Sequence, residues 1–534
     1  MKKCIALLLA AVLLVSLAAC GMGQEGTTPA PSETGPVVQA DPVADNYRTF
    51  YQIFVGSFSD SNSDGIGDLR GIINRFDYLN DGNMLSQTSL GVQGIWLSPI
   101  FSSPSYHKYD ASDYYQVDWR FGREEDLVEL IELCHQRNVK LILDLAINHT
   151  SSQHEWFLRF KQARMDGNTA DPYYDFYSCA TEAEKVGGIA YQKIAGVDCW
   201  YECNFSGDMP ELNFDNPEVR QAVLDVAKYY LDLGVDGFRF DAVKYIYFGD
   251  TARSVDFWEW YMAELRKINP DVYCVGECWS GENEILEYYS AMNCFNFAMA
   301  QAEGVAAAAA KGQSLSKFTN YVESFQAKVL QANPGGMVMS FLSNHDMDRI
   351  GGAFATENYM RMAANLYLLG PGSPVIYYGE EIGMRGSRGG ENTDANRRLA
   401  MLWGDDDLIR DPVGSTYSEK YQIKTTVAQQ MEDENSLYRY YCRLLSIRHS
   451  YPAIARGSYT ALSTGQRNFG GFRVEYGDEV LGVLHNNGTE EIVFDLSDLE
   501  GCSFTQICDF IGVGGATLEG TVLTLGPQTS VIVK

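Results

Sequence analysis

The chain has 534 residues, a formal net charge of −29 and 46% hydrophobic residues. This length exceeds what one compact core holds, so one large domain with smaller satellites is expected. The strong negative charge argues against a nucleic-acid partner, because phosphates would be repelled. It suits a soluble protein that acts on a neutral substrate, where charge supplies solubility more than affinity.

The N-terminus predicts export. Lys2 and Lys3 precede an apolar run at residues 5–17, which is too short to span a bilayer as a helix. Cys20 directly follows Leu-Ala-Ala, and this arrangement resembles a bacterial lipoprotein signal, in which that cysteine is lipidated. We therefore expect residues 1–19 to be a signal peptide and the exported protein to stay at the cell surface, touching the membrane only through its lipid anchor. An ordinary secretory signal is the alternative.

The remaining cysteines leave their pairing open. Cys199 and Cys203, like Cys502 and Cys508, are close enough in sequence to pair, and export permits disulfides. Other cysteines, such as Cys134, lie in apolar contexts that suit a small buried side chain. No spacing of cysteine and histidine indicates zinc.

Apolar strands alternate with amphipathic helices from residue 47 onward. Strands are predicted at residues 49–58, 94–99, 139–146, 235–242, 272–277, 337–343 and 374–379, with an eighth near 291–297, and helices at 124–136, 217–234, 254–268 and 356–370. This alternation implies a parallel sheet covered by helices, and eight units suit a (β/α)8 TIM barrel. A doubly wound sheet is the alternative.

Two departures from the alternation of strands and helices predict two additional domains. The next clear helix after the third strand begins only at Pro217, far beyond a normal βα loop, which predicts an inserted subdomain. Beyond residue 455, short β-runs separated by Gly turns predict a C-terminal antiparallel β-sandwich. The expected boundaries are a tether at 20–44, barrel segments at 45–147 and 215–454, an inserted B domain at 148–214 and the β-sandwich at 455–534.

Carboxyl groups stand at the ends of neighbouring predicted strands, where a barrel of this kind carries its function. Arg239 and Asp241 are two residues apart on one strand face, and an adjacent arginine favours an ionised carboxylate, which suits a nucleophile. Glu277 follows the next apolar strand, where partial burial favours the protonated form that a general acid needs. Asp346 supplies a third carboxyl after the strand at 337–343.

Two of the seven histidines, His149 and His345, fall in segments that follow such strands, and a third, His107, lies just after the second predicted strand. A single Asp at a strand end commonly caps a helix or solvates a loop. The coincidence of carboxyls and histidines at several predicted strand ends favours an active site instead.

These segments together resemble a known family. DLAINHT (144–150), GFRFDAVKY (237–245), VGECW (275–279) and FLSNHDMDR (341–349) resemble, in this order, the four signature regions of the α-amylase family, glycoside hydrolase family 13. GVQGIWLSPI (91–100) resembles its second-strand motif. MPELN (209–213) resembles its short motif near the end of the inserted domain, in a form intermediate between α-amylases and oligo-1,6-glucosidases, a group with known lipoprotein α-amylases.

The resemblance implies a role for each matching residue. Asp241 matches the nucleophile, Glu277 the general acid/base and Asp346 the transition-state-stabilising carboxylate of retaining cleavage in starch, glycogen and maltooligosaccharides. Sugar contacts are implied at His107, Tyr109, His149, Arg239, Lys244 and His345, and a structural role at Asp144. Ala242 and Lys244 match the pattern for α-1,4 rather than α-1,6 bonds.

The segment DSNSDGIGD (60–68) predicts a calcium loop. Carboxylates and an amide at alternate positions around a Gly turn supply the hard oxygens that calcium prefers. An EF-hand would need Glu where Gly71 stands, and the segment instead resembles the calcium loop of oligo-1,6-glucosidase-like members. The implied ligands are the side chains of Asp60, Asn62, Asp64 and Asp68 and the carbonyl of Ile66, with a second site at Asn148 and Glu211. A solvated acidic turn without metal is the alternative.

Other functions stay open on sequence alone. A neopullulanase or cyclodextrinase usually carries an additional N-terminal β-domain, for which residues 21–44 leave no room. A transglycosylase or a trehalose-forming isomerase would share all three carboxylates. A non-catalytic surface glucan receptor, a different class of protein, would tolerate their loss, yet all three are present. We expect a monomer whose partner is an α-glucan.

Overall fold

The computed structural model describes residues 45–390, 392–404 and 407–534. The predicted signal peptide, the lipidation site Cys20 and the tether lie outside the described residues. Across the described ranges, no helix combines the length and the apolar character that a membrane crossing needs.

The strands, in chain order, are β1 (Phe50–Ile53), β2 (Gly94–Leu97), β3 (Phe101–Ser102), β4 (Asp113–Val117), β5 (Lys140–Leu145), β6 (Cys179–Ala180), β7 (Tyr191–Lys193), β8 (Trp200–Glu202), β9 (Gly237–Phe240), β10 (Tyr273–Gly276), β11 (Asn293–Cys294), β12 (Val375–Tyr377), β13 (Ser458–Leu462), β14 (Phe469–Tyr476), β15 (Glu479–Asn486), β16 (Ile492–Asp495), β17 (Ile507–Gly512), β18 (Ala516–Glu519), β19 (Val522–Leu525) and β20 (Thr529–Val533). The α-helices are α1 (Leu69–Asn74), α2 (Phe76–Leu79), α3 (Glu124–Gln136), α4 (Glu155–Asp166), α5 (Pro217–Leu233), α6 (Thr251–Ile268), α7 (Glu282–Tyr288), α8 (Val305–Ala310), α9 (Leu315–Ala332), α10 (Glu357–Leu368), α11 (Val427–Glu432), α12 (Leu437–Ser450) and α13 (Pro452–Arg456).

Parallel strands form the centre of the molecule. Their order is β11-β10-β9-β5-β2-β1-β12. Single parallel bridges, Phe295 to Met339 and Phe341 to Val375, join the two ends of this row through the segment at 337–343. That segment lies between β11 and β12 and brings the number of barrel strands to eight, so the predicted (β/α)8 barrel is confirmed and the doubly wound alternative is wrong.

The alternation of side chains along each strand explains where polar groups collect. Phe50, Ile142 and Val275 belong to a buried apolar cluster that also contains residues of the other barrel strands, and this cluster fills the barrel. Successive side chains of a strand point to opposite faces, so the residue two positions after each of these apolar residues also faces inward. Polar residues occupy those later positions: Asp144 follows Ile142 and Glu277 follows Val275. The inward-facing side chains are therefore polar at the carboxyl end of the barrel and apolar in its interior.

Helix boundaries follow local signals. Asn216 caps the N-terminus of α5, Pro217 occupies its first turn, and Gly234 ends it with φ 105°. Helix α3 has the bounds expected from its periodicity.

The segment between β5 and α5 contains a helix that sequence periodicity did not indicate. Helix α4 buries only Phe157, Phe160 and Ala163, so its apolar face is narrow. A three-stranded antiparallel sheet of order β6-β8-β7 follows it. His149 and Glu211 form an antiparallel bridge at the junction with the barrel.

The C-terminal part is a β-sandwich. Two antiparallel sheets, β13-β14-β15-β20-β17 and β16-β19-β18, share one buried cluster that includes Phe469 and Leu484 from one sheet and Phe494 and Leu523 from the other. Buried Asn365 on α10 joins this sandwich to the barrel, since its Nδ2 donates to a carbonyl of β17 and a hydroxyl of β20.

The ten cysteines of the described chain are all free thiols, and seven of them are buried. Neither Cys199 with Cys203 nor Cys502 with Cys508 forms a disulfide in the structure.

Candidate active site

A buried arginine holds the first carboxylate of the site. Arg239 lies in β9 two residues before Asp241, and both side chains share one face of the strand. Arg239 Nη1 donates to Asp241 Oδ1 at 2.7 Å and to Asp144 Oδ1 at 2.8 Å. Trp96 Nε1 donates to the other oxygen of Asp144 at 3.2 Å. The Asp241 carboxylate is thus fixed in place and paired with a cation, as suits a nucleophile.

Glu277 lies beside Asp241, because β9 and β10 pair in parallel register. Its Oε2 is 3.3 Å from Arg239 Nη2 and accepts from the backbone N–H of Ala242 at 3.1 Å. Ala242 adopts the left-handed conformation, with φ 51° and ψ 41°. Burial raises the pKa of Glu277 to about 8, an effect that Arg239 opposes. Repulsion by Asp241 and Asp346 adds to the rise.

Asp346 carries the third carboxylate. His345 Nε2 lies 2.9 Å from its Oδ2, and Arg398 Nη2 lies 2.7 Å from its Oδ1. Desolvation disfavours the charged form, but His345 and Arg398 outweigh it and hold the pKa of Asp346 well below its usual range. An ionised carboxylate at this position can accept hydrogen bonds from sugar hydroxyls.

Tyr109 and His345 form the floor beside Asp346. Their rings stack with centroids 5.3 Å apart and planes 8° apart. Tyr109 Oη contacts His345 Nε2 at 2.6 Å and donates to Asp144 Oδ2 at 2.8 Å. Gln52 Nε2 lies 2.7 Å from His345 Nδ1. This network orients the ring through residues of β1 and β5.

His107 and His149 lie in the same cleft as uncharged donors or acceptors at neutral pH. Burial lowers the pKa of His107 to about 4, and the charge of Arg398 adds to this effect. Burial also lowers the pKa of His149, whose Nε2 is 3.2 Å from the carbonyl of Tyr109. Neutral imidazoles of this kind position hydroxyl groups rather than supply charge.

The cleft itself has a volume of about 690 Å³. Its lining includes all three carboxylates together with His107, Tyr109, His149, Lys244 and Arg398. Arg239 and His345 are fully buried beneath it. The structure thus brings together all the residues for which a catalytic or sugar-binding role was expected.

Lys244 and Trp279 lie on the Glu277 side of the cleft. Lys244 belongs to a short 3₁₀ helix at 243–245, and its Nζ donates to the carbonyl oxygen of Trp279 at 2.8 Å. Trp279 is 43% exposed and stacks on Phe297, with centroids 5.2 Å apart and planes 17° apart. A lysine and a flat aromatic face therefore line the cleft close to Glu277.

Sequence reasoning missed Arg398. It follows β12 and is 4% exposed, and its Nε donates to the carbonyl of His345 at 3.0 Å. Its Nη1 donates to Tyr106 Oη at 3.0 Å. The only sequence signal for this role was the pair Arg397 and Arg398, which lies downstream of the last barrel strand. Functional residues of such a barrel collect at that end of the strands.

In the expected calcium loop at 60–68, side-chain oxygens accept hydrogen bonds from the loop's own backbone N–H groups. Asp60 accepts hydrogen bonds from three backbone N–H groups of the loop, while Asn62 and Asp64 each accept from the residue two positions on. Asp68 caps the N-terminus of α1. The oxygen donors suit calcium chemically. Among the described residues, however, no group of three or more His, Cys, Asp or Glu side chains converges as a metal site. Calcium therefore stays a prediction.

The second expected calcium site centres on a carboxyl with protein partners. Glu211 is 3% exposed and accepts from the backbone N–H and the side-chain amide of Asn204, at 2.8 and 3.0 Å. Burial raises the pKa of Glu211 to about 7. Asn148 is buried nearby, with its Nδ2 3.4 Å from His149 Nδ1.

Comparison with known sequences agrees with this geometry. The family described as "Alpha amylase, catalytic domain" matches residues 52–457. The chain therefore belongs to the α-amylase family of glycoside hydrolases.

Its relatives have more than one activity by name. "Alpha-amylase 3" of Dictyoglomus thermophilum is 35% identical over 501 residues, covering 91% of this chain and 92% of that protein. "Oligo-1,6-glucosidase" of Bacillus cereus is 29% identical and covers 86% of this chain and 93% of its own. The solved structure of Eubacterium rectale Amy13B superposes with a TM-score of 0.84 at 33% identity, over 93% of this chain and 97% of that one.

We expect activity to fall as the pH rises through about 8. Glu277 must be protonated to act as an acid, its raised pKa is about 8, and the acidic form is lost above that value. The pH dependence of kcat/KM measures this directly. Melting temperatures over the same range serve as the control, because unfolding at alkaline pH would imitate the loss. An alkaline limb near pH 5 in a folded enzyme would contradict the assignment.

Proposed function

We propose that this enzyme hydrolyses the α-1,4-glucosidic bonds of starch, glycogen and maltooligosaccharides with retention of configuration. One observation carries the proposal. The carboxyl groups of Asp241 and Glu277 contact two nitrogens of the same Arg239 guanidinium, at 2.7 and 3.3 Å, and open into one cleft with Asp346. Two carboxyl groups held by one guanidinium on adjacent strands suit a retaining pair, which lies about 5–5.5 Å apart for direct attack on the anomeric carbon, whereas inversion needs room for a water between them.

The chemistry follows from the different environments of the two carboxyls. Asp241 attacks the anomeric carbon and forms a glycosyl ester, while protonated Glu277 gives its proton to the departing glycosidic oxygen. Glu277, now a carboxylate, takes a proton from water, whose oxygen attacks the same carbon and releases Asp241. Asp346 stays ionised throughout and binds the hydroxyls of the distorted sugar.

Linkage preference rests on two residues and one relative. Ala242 and Lys244 follow the α-1,4 pattern, and Lys244 Nζ lies at the leaving-group side of the cleft. The relative from Dictyoglomus thermophilum is named an α-amylase. The oligo-1,6-glucosidase of Bacillus cereus supports α-1,6 cleavage as a second candidate. Transfer of the sugar to another sugar hydroxyl in place of water is a third candidate function, since it uses the same glycosyl ester.

The motif MPELN (209–213) supports placing the chain in the group that stands between α-amylases and oligo-1,6-glucosidases.

A substrate panel tests this function. We expect the purified enzyme to cleave amylose faster than isomaltooligosaccharides, and the variants Asp241→Asn and Glu277→Gln to retain less than a tenth of its turnover, because each lacks one chemical step. Chromatography of the products distinguishes hydrolysis from transfer. Circular dichroism of the variants controls for folding. A variant with a tenth or more of the normal turnover would refute the catalytic roles.

We also propose that the loop at 60–68 binds calcium and supports stability rather than chemistry. Its carboxylates, the amide of Asn62 and the carbonyl of Ile66 occur at alternate positions around a tight turn, with Gly65 at φ 91°, and the loop leads directly into α1.

A chelator should therefore lower the melting temperature, because the carboxylates of Asp60, Asp64 and Asp68 would lose their counterion. Added calcium should restore it. The variant Asp64→Asn should respond less than the parent enzyme. An unchanged melting temperature in chelator would favour the solvated acidic turn.

For localisation, we propose that the protein is exported and anchored through lipidated Cys20, on the strength of the signal-like residues before it. Replacement of Cys20 by Ser should abolish incorporation of labelled fatty acid and release activity into the medium. Retention of the variant in the membrane fraction would argue against this anchor.

A further inference from the structure

Three cysteines lie together in the small sheet between β5 and α5. Cys199 directly precedes β8, Cys203 directly follows it, and Cys179 begins β6, which pairs with β8. Alternate residues of a strand point to one face, and Cys199, Tyr201 and Cys203 are each at most 6% exposed. The Tyr201 ring packs edge-on against Phe157 of α4, with centroids 4.9 Å apart. The buried face of the sheet, which carries the cysteines, therefore lies against α4.

The register shows which of these cysteines can pair. Cys199 and Cys203 are four residues apart along one extended strand, about 13 Å, which is roughly twice the Cα separation of a disulfide. Cys179 lies opposite Tyr201, so Cys199 and Cys203 are its two diagonal neighbours on the same face. The Cβ atoms of diagonal neighbours come within about 7 Å. Cys179 is therefore the common partner that the geometry offers to either cysteine.

Local contacts distinguish the two diagonal partners. The thiols of Cys179 and Cys199 hydrogen-bond to each other, which raises the pKa of Cys179 and lowers that of Cys199. The charge of Arg164 on α4 also lowers the pKa of Cys199. At Cys203, burial raises the pKa to about 11, and the charge of Glu211 adds to the rise. Since the thiolate is the form that reacts in disulfide exchange, both contact and charge favour Cys199.

A covalent bond here would act on the wall of the catalytic cleft. The sheet has the order β6-β8-β7, so β6 is an edge strand, and only two residues of it pair with β8. Beyond β8 the chain continues into Phe205 and Ser206, which line the cleft. A link between β6 and the start of β8 would therefore fix the sheet from which this wall extends.

We propose that Cys179 and Cys199 form a disulfide that fastens β6 to β8 and stabilises the sheet beside the catalytic cleft. The oxidant is an external disulfide. One cysteine thiolate attacks a sulfur of that disulfide, forms a mixed disulfide and releases one thiol. The second cysteine gives up its proton to water and displaces the remaining external sulfur, which leaves as a second thiol. Two cysteine thiols are oxidised, and one external disulfide is reduced to two thiols.

Peptide mapping of the full-length protein tests the bond. After treatment with glutathione disulfide, the remaining thiols are blocked with N-ethylmaleimide in mildly acidic denaturant, where exchange is slow because thiolates are scarce. Trypsin without reductant then cuts after Lys and Arg, at Arg164, Lys185, Lys193 and Arg220. We expect peptide 165–185, which contains Cys179, to be joined to peptide 194–220. The joined mass should be two hydrogens below the sum of both peptides, and a reductant should separate them.

Cys203→Ser is the matched control, because Cys203 shares a peptide and a strand face with Cys199. This variant should retain the joined peptides, whereas Cys199→Ala and Cys179→Ser should lose them. Absence of the joined peptides in the oxidised parent, their loss in Cys203→Ser or their survival in Cys199→Ala would overturn the proposal. Circular dichroism checks folding, and Cys179→Ser, at a partly exposed position, decides the matter if Cys199→Ala does not fold.

The melting temperature tests what the bond does. A reductant should lower that of the oxidised parent by about 2–6 °C, because a cross-link restricts the unfolded chain. It should leave Cys179→Ser unchanged. Equal shifts in the two proteins, or no shift in the parent, would refute the stabilising role.

Discussion

The site depends on one fully buried cation. The guanidinium of Arg239 is 0% exposed and contacts the carboxyl groups of Asp144, Asp241 and Glu277. Removing an arginine and its partners from water costs several kcal/mol per ion, so such a cluster persists only where good geometry compensates. Here the geometry comes from three adjacent parallel strands, β5, β9 and β10, whose register places Asp144 beside Arg239 and, two residues further on, Asp241 beside Glu277.

The same cluster surrounds the two central carboxyls unequally. Asp241 receives the shorter contact from Arg239, at 2.7 Å, while Glu277 is 3.3 Å from it and lies next to other negative groups. A neighbouring carboxylate and a desolvated position together favour the neutral acid at Glu277. The acidic form of Glu277 is thus favoured chiefly by burial, with repulsion by Asp241 and Asp346 added, against the opposing charge of Arg239.

Much of the barrel and of its chemistry could be predicted from the sequence because both depend on strong local patterns. Apolar runs such as the one in β5 predict buried strands, and polar residues directly after them fall at one end of a parallel barrel. Helix α4 escaped prediction because its buried face comprises only three residues. Arg398 escaped because its partner Asp346 is distant in sequence and the segment that carries it lacks a repeating pattern. The left-handed backbone at Ala242 also had no signal, since neither glycine nor asparagine occupies that position. The domain boundaries and the individual roles of the site residues stay predictions.

The backbone at Ala242 has a consequence for how this enzyme can change. With φ at 51°, a methyl side chain is tolerated, but a β-branched one would be strained there. The N–H of the same residue holds the carboxyl of Glu277. A bulkier residue at this position would therefore strain the same peptide unit that holds the acid, so the backbone here ties the choice of side chain at 242 to the placement of Glu277.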